Sequence, residues 1–193
     1  MNIMHYTLGL SPERSGGLTT YATDLMVEQS KAHRVALLYP SGYVPFSVEI
    51  SLRRCANYKN IECYKLMNSL PVPLLYGIKN PSDFISRRTM SLPQMELLYN
   101  SVKPHIFHVH TLMGLPLELL EYLKGEGVKL VFTSHDYFGI CPKVNLIGRD
   151  KMPCVARSAT KCRECNASSV STTMLRVRNS RLFLRLCRAI KSF

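Results

Sequence analysis

Apolar positions along the chain fall into two rhythms: short continuous runs, and stripes recurring every three to four residues. Asn2 to Leu8 is a moderately apolar run free of Pro and Gly, and it reads as a first strand. Gly9 to Ser15 forms a loop ending at Gly16-Gly17. Leu18, Tyr21, Ala22, Leu25 and Met26 then recur at helical spacing, the stripe of an amphipathic helix. Arg34 to Tyr39 is a second buried run, stopped by Pro40-Ser41-Gly42. Residues 41–60 read as irregular, Ile61 to Leu66 as a third strand, and Asn68 to Pro81, with its three prolines, as a loop. Ser82 to Val102 reads as helical in two pieces broken near Pro93. His105 to His110 is a fourth strand, Leu115 to Lys124 a helix closed by Gly125, and Lys129 to Ser134 a fifth, buried strand. Strands separated mostly by helices predict an α/β fold, a doubly wound parallel sheet flanked by helices.

The rhythm stops after Cys141. Residues 142–170 are polar, nonperiodic and cysteine-bearing, and a basic amphipathic helix is expected from Ser171 to Ile190, with Leu175, Leu182, Leu186 and Ile190 on one stripe. Charge follows the same division. The chain carries 25 Lys and Arg against 13 Asp and Glu, and 12 of the basic but only two of the acidic side chains lie beyond residue 140. A nearly neutral body with a basic tail suggests an anionic partner for the tail: membrane lipid, nucleic acid or a phosphorylated ligand. A solvated helix in a fragment lacking its acidic complement is the plainer reading. No window reaches the roughly 18 apolar residues of a membrane span, and the amino terminus lacks a secretory pattern. A cytoplasmic, reducing compartment is therefore the expectation.

Strand ends in an open α/β sheet are where ligands sit, so the candidate chemistry is sought there. Gly16 and Gly17, between the first strand and first helix, would let backbone N–H groups approach an anion at a helix amino terminus. They could equally just make the turn. The dinucleotide fingerprint, the Walker lysine loop and the G-x-S-x-G elbow are absent from the sequence. His108 and His110 share one face of the fourth strand; His108 reads as a packed residue, and His110 is open to a functional role. His135 ends the fifth strand, where an imidazole can act as donor, acid or base. Asp136 could accept sugar hydroxyls or simply cap the next turn. Gly16-Gly17, His110 and His135 are expected to line one crevice at the carboxyl edge of the sheet.

Cys141, Cys154, Cys162 and Cys165 are separated by 12, 7 and 2 residues. The C-x-x-C pair is half of a zinc site, and four thiolates would make a closed structural site; free thiols and disulfides are the alternatives. Cys55, Cys63 and Cys187 read as incidental.

Three stretches, GGLTTYATDL, KPHIFHVH and VFTSHDYFGICPKVNL with the cysteines that follow, together resemble the amino-terminal domain of glycosyltransferase family 4. The resemblance spans roughly residues 1–190. It implies a Rossmann-like domain of a GT-B enzyme: retaining, independent of metal in catalysis, and using a nucleotide sugar. Gly16-Gly17 would then face the donor diphosphate, and His135 would lie beside the transferred sugar and the acceptor. His110 and Asp136 would line the substrate site. The acceptor implied is a glycan or lipid-linked glycan, with peripheral contact at the inner face of an anionic membrane. Enzymes of this kind carry a second Rossmann-like domain with an E-x7-E-type motif, and the sequence stops at Phe193, where that domain should begin. Residues 1–140 would be the acceptor-side domain, 141–170 the cysteine-bearing loop, and 171–193 a helix leading towards a donor-binding domain or second polypeptide. The 193 residues alone are expected not to turn over a sugar nucleotide. A competing reading is a noncatalytic module whose basic, cysteine-bearing tail docks on nucleic acid or a protein. The scarcity of aromatics in the tail weighs against nucleic acid. A nucleotide-dependent oxidoreductase is disfavoured by the missing fingerprint.

Overall fold

A computed structural model describes residues 1–44, 47, 49–70, 72–79, 90–180 and 183. Six strands form one sheet: β1 (Asn2–Tyr6), β2 (Arg34–Pro40), β3 (Ser51–Tyr58), β4 (Ile61–Met67), β5 (Ile106–Val109) and β6 (Lys129–Phe132). The order across the sheet is β3-β4-β2-β1-β5-β6, and only the β3–β4 pairing is antiparallel. From β1 the chain winds outward through β2 to β4, then crosses back to β5 on the other side. The switch point thus lies between β1 and β5, whose carboxyl ends flank a natural crevice. The α/β class with a doubly wound, mostly parallel sheet is the architecture expected from the sequence.

Each face of the sheet is filled by alternate residues of its strands. One face carries Met4, Tyr6, Ala36, Leu38, Tyr64, Leu66, Phe107 and Val109. Helices α2 (Leu92–Val102) and α3 (Leu117–Gly125) close it with Met95, Leu98, Leu119 and Leu123. The other face carries Val35, Leu37, Tyr39, Ile61 and Cys63 beneath Met26 of α1 (Gly17–Gln29). The pattern of β1 and β5 puts His5, His108 and His110 on this second, α1-facing side.

Several local expectations change. Residues 51–58, read as irregular, form strand β3; their side chains are half-buried or exposed, so no apolar rhythm marks them. An edge strand needs only its backbone ladder to β4, here helped by Arg54 near Glu62. The fifth expected strand is β6, which ends at Phe132 and is the opposite edge rather than a buried strand, with Phe132 54% exposed. Its apolar run meets one neighbouring strand only. In α1 the buried residues are Thr19, Ala22 and Met26, while Tyr21 faces outward. Pro93 sits in the first turn of α2, where a missing N–H costs nothing. The first half of the helix expected over 82–102 falls outside the described residues. Gly125 is the last residue of α3 rather than its cap; Gly127, at φ 77°, makes the left-handed turn.

Beyond β6 the segment folds back on the body. Helix α4 (Ala159–Asn166) is capped by Ser158 and α5 (Thr172–Arg178) by Ser171, each hydroxyl accepting a backbone N–H. Leu175 is fully buried and the Arg178 guanidinium lies 4.2 Å from the Tyr76 ring centroid. Asn179 accepts from Arg14 and donates to the Val72 carbonyl. The start of the basic helix is therefore docked. Its expected continuation through Leu182, Leu186 and Ile190 lies outside the described residues, as does Cys187.

Candidate functional site

Parallel pairing aligns residues that face the same way. The β1–β5 register sets His5 beside His108, and His110, two residues further on, donates its backbone N–H to the Tyr6 carbonyl. With His135, four imidazoles cluster here. The rings of His5 and His108 are 5.2 Å apart, His108 and His110 4.2 Å, and His110 and His135 5.6 Å. His5 and His110 are buried, His108 half-buried and His135 exposed.

The hydrogen bonds fix the tautomers from one end. Gln29 Oε1, at the end of α1, lies 2.7 Å from His5 Nε2 and can only accept, so His5 carries its proton on Nε2. Burial pushes the His5 pKa down to about 4, so the ring is neutral at pH 7 and its Nδ1 is an acceptor. His110 Nε2, 3.0 Å away, is then the donor. His110 is held down to about 3, by burial first and then by the neighbouring histidines, so its Nδ1 is in turn an acceptor. It faces His135 Nε2 at 3.4 Å. A neutral His135 accordingly carries its lone pair on Nδ1. His108 stands beside the row, its Nε2 2.8 Å from Thr133 Oγ1, and burial lowers its pKa as well.

Tyr21 completes the outer wall. It lies one helical turn after Gly17, and its ring meets His135 edge-on at 5.1 Å and His110 at 6.0 Å. Gly16 and Gly17 form the amino terminus of α1, and a Cβ built on either would meet nothing within 4 Å. Space is therefore open at a helix end where backbone N–H groups favour an anion. The structure brings His110 and His135 together, and α1 links them through Tyr21 to the glycine turn. Asp136 is engaged in the chain itself: its Oδ1 accepts from Phe138 N at 2.8 Å, the turn-capping role.

The cysteines are placed differently. Cys162 and Cys165 lie on α4, Cys154 follows the short Ile147–Pro153 bridge, and Cys141 ends the turn that begins at Tyr137. None of the four is joined in a disulfide. Among the described residues, the group whose ligand atoms lie close enough to share an ion is His5, His108 and His110, and it includes none of the four thiols.

Sequence reasoning missed His5, Gln29, Thr133 and the outward role of Tyr21. A lone histidine in an apolar first strand carries no signal of its own; only strand pairing puts it beside His108. Tyr21 falls on the helical stripe in sequence, and tyrosine suits both a core and a wall.

The family model for Glycosyltransferase Family 4 matches residues 15–167, from the glycine turn to the end of α4. A comparison with curated proteins finds no match. Among the described residues no helix is long and apolar enough to cross a membrane. The match takes in Gly16-Gly17, His110, His135 and the four cysteines, and with the switch-point geometry it shows that the chain belongs to glycosyltransferase family 4.

Proposed function

We propose that this domain is the acceptor side of a retaining glycosyltransferase, which moves a sugar from a nucleotide sugar to a glycan or lipid-linked acceptor. The observation that carries this reading is an exposed His135, held against His110 at the switch point, beside the open amino terminus of α1. In this reading the α1 N–H groups stabilise negative charge on the departing diphosphate, which removes the need for a metal in the reaction. His135 exchanges hydrogen bonds with hydroxyls of the sugar or acceptor, and the buried histidines hold its ring in one tautomer. Asp136 shapes the loop that presents His135. A second, donor-binding domain or polypeptide supplies the opposite wall. Exposed Arg149, Lys151, Arg157, Lys161 and Arg163 support peripheral contact with an anionic membrane at its cytoplasmic face. The cysteines would hold a structural zinc only after their loop rearranges around the ion.

Calorimetry with a panel of nucleoside diphosphate sugars and the corresponding free diphosphates tests the assignment. Weak binding is expected, with His135→Ala removing the increment due to the sugar and leaving diphosphate affinity. Salt-sensitive DNA binding with no affinity for any sugar nucleotide or glycan would overturn it. The 193-residue chain alone is expected to show no useful transfer.

A further inference from the structure

We propose that His5, His108 and His110 form a binding site for one divalent transition-metal ion of the zinc, cobalt, nickel or copper class. One ring nitrogen from each residue lies within 4.8 Å of the others, and two of the three side chains are buried. A tetrahedral ion with bonds of about 2.0–2.1 Å holds its nitrogens roughly 3.3 Å apart. The His5 Nδ1 to His110 Nε2 separation of 3.0 Å already fits that span, and His108 offers a nitrogen within 4.8 Å of the other two ligand atoms.

The surroundings match what a histidine site requires. A metal-bound imidazole donates through its other nitrogen to an oriented partner. His5 Nε2 has Gln29 Oε1 at 2.7 Å, and His108 Nε2 has Thr133 Oγ1 at 2.8 Å. His110 Nδ1 has His135 Nε2 at 3.4 Å. Each ring therefore has one nitrogen engaged outward, which leaves Nδ1 of His5, Nδ1 of His108 and Nε2 of His110 for the ion. Burial keeps the rings in the neutral form that ligates. Three imidazoles without a carboxylate select borderline metals over magnesium or calcium. A fourth position remains for water or another small ligand.

The proton inventory balances. In the metal-free row His110 donates from Nε2 to His5. To ligate, that nitrogen gives up its hydrogen, and the ring carries it on Nδ1 instead. His110 then donates to His135 Nε2, and a neutral His135 moves its own proton to Nδ1. No net proton is released from the row, and the bond between His110 and His135 reverses direction. Occupancy would thereby change the tautomer of the exposed histidine, while the site itself does not rest on the proposed transfer chemistry.

The test uses the full 193-residue chain carrying Cys162→Ser and Cys165→Ser, so that the C-x-x-C pair cannot compete. Zinc chloride is titrated by calorimetry, and cobalt chloride by visible absorption. One ion per chain is expected, with a tetrahedral cobalt band and no thiolate charge-transfer band. Gln29→Ala should weaken binding about 10–100-fold, as loss of an outer-shell partner does. His108→Gln should weaken it by more than about 100-fold, beyond that outer-shell range. Circular dichroism checks that each variant is folded. A readout free of substitution at the histidines is the 15N spectrum of the imidazoles, in which zinc should shift His5 Nδ1 and His110 Nε2. No zinc heat and no cobalt band at millimolar metal would overturn the site. So would binding unchanged in folded His108→Gln, or imidazole nitrogens that do not move.

Discussion

His5 Nδ1 on β1 and His110 Nε2 just past the end of β5 face each other at 3.0 Å, both rings buried and both neutral. A charged imidazole there would lose hydration and face other histidines, so protonation opposes the fold. In the unfolded chain both rings titrate near 6.5. Because their folded values are depressed, the unfolded state binds more protons once the pH drops below that point. This contribution to stability is complete above about pH 6.5 and is lost progressively towards pH 4 and 3. Guanidinium midpoints measured from pH 7.5 to 4.5 should fall, and His5→Gln should fall less steeply than the parent chain. Parallel profiles would refute the assignment.

Gln29 sets the direction of the row because its oxygen can only accept from His5 Nε2. Gln29→Leu strands a buried donor and should cost about 1–3 kcal/mol in denaturant unfolding. In the same variant the His5 ring 15N shifts should show both tautomers rather than one.

Gly114 has φ 77°, and a Cβ there would come within 3.1 Å of the Leu70 carbonyl oxygen, a Pro40 carbon and the Tyr6 hydroxyl. The Tyr6 hydroxyl is itself committed to the Met113 carbonyl at 2.9 Å. Gly114→Ala combines a left-handed backbone with overpacking and should destabilise by about 1–3 kcal/mol. A thermal melt indistinguishable from the parent would contradict this packing.

Leu98 on α2 and Phe132 on β6 differ in burial, and substitution should separate them. Leu98 is fully buried between α2 and the sheet, and Leu98→Ala should cost about 2–5 kcal/mol. Phe132 stands on the edge strand at 54% exposure, so Phe132→Ala should stay within about 0.5 kcal/mol of the parent. Equal losses in urea titrations would return β6 to the buried interior that its sequence suggests.

Central strands were legible because their faces are largely buried: β1 and β2 read as apolar runs, β4 as an alternating segment, and the three pair in the middle of the sheet. Strand β3 was not, since an edge held by backbone bonds needs no apolar alternation, and SLRRCANY shows none. His110 and His135 could be marked as candidates from their place at strand ends. His5 could not, because nothing within its own segment separates a packed histidine from a member of a row. The resemblance in GGLTTYATDL, KPHIFHVH and VFTSHDYFGICPKVNL correctly identified the family.

What the amino-acid order alone determined was local: which segments extend or coil, where glycine frees a helix amino terminus, and which residue types wait at strand ends. These follow from side-chain period and backbone preference, properties of neighbours in sequence. What the tertiary structure decided was register. Pairing β1 with β5 in parallel set His5 beside His108, although they lie 103 positions apart in the chain. A shift of one residue would send those rings to the opposite face, because side chains alternate along a strand. The histidine row, its tautomers and its link to His135 therefore belong to the packed sheet.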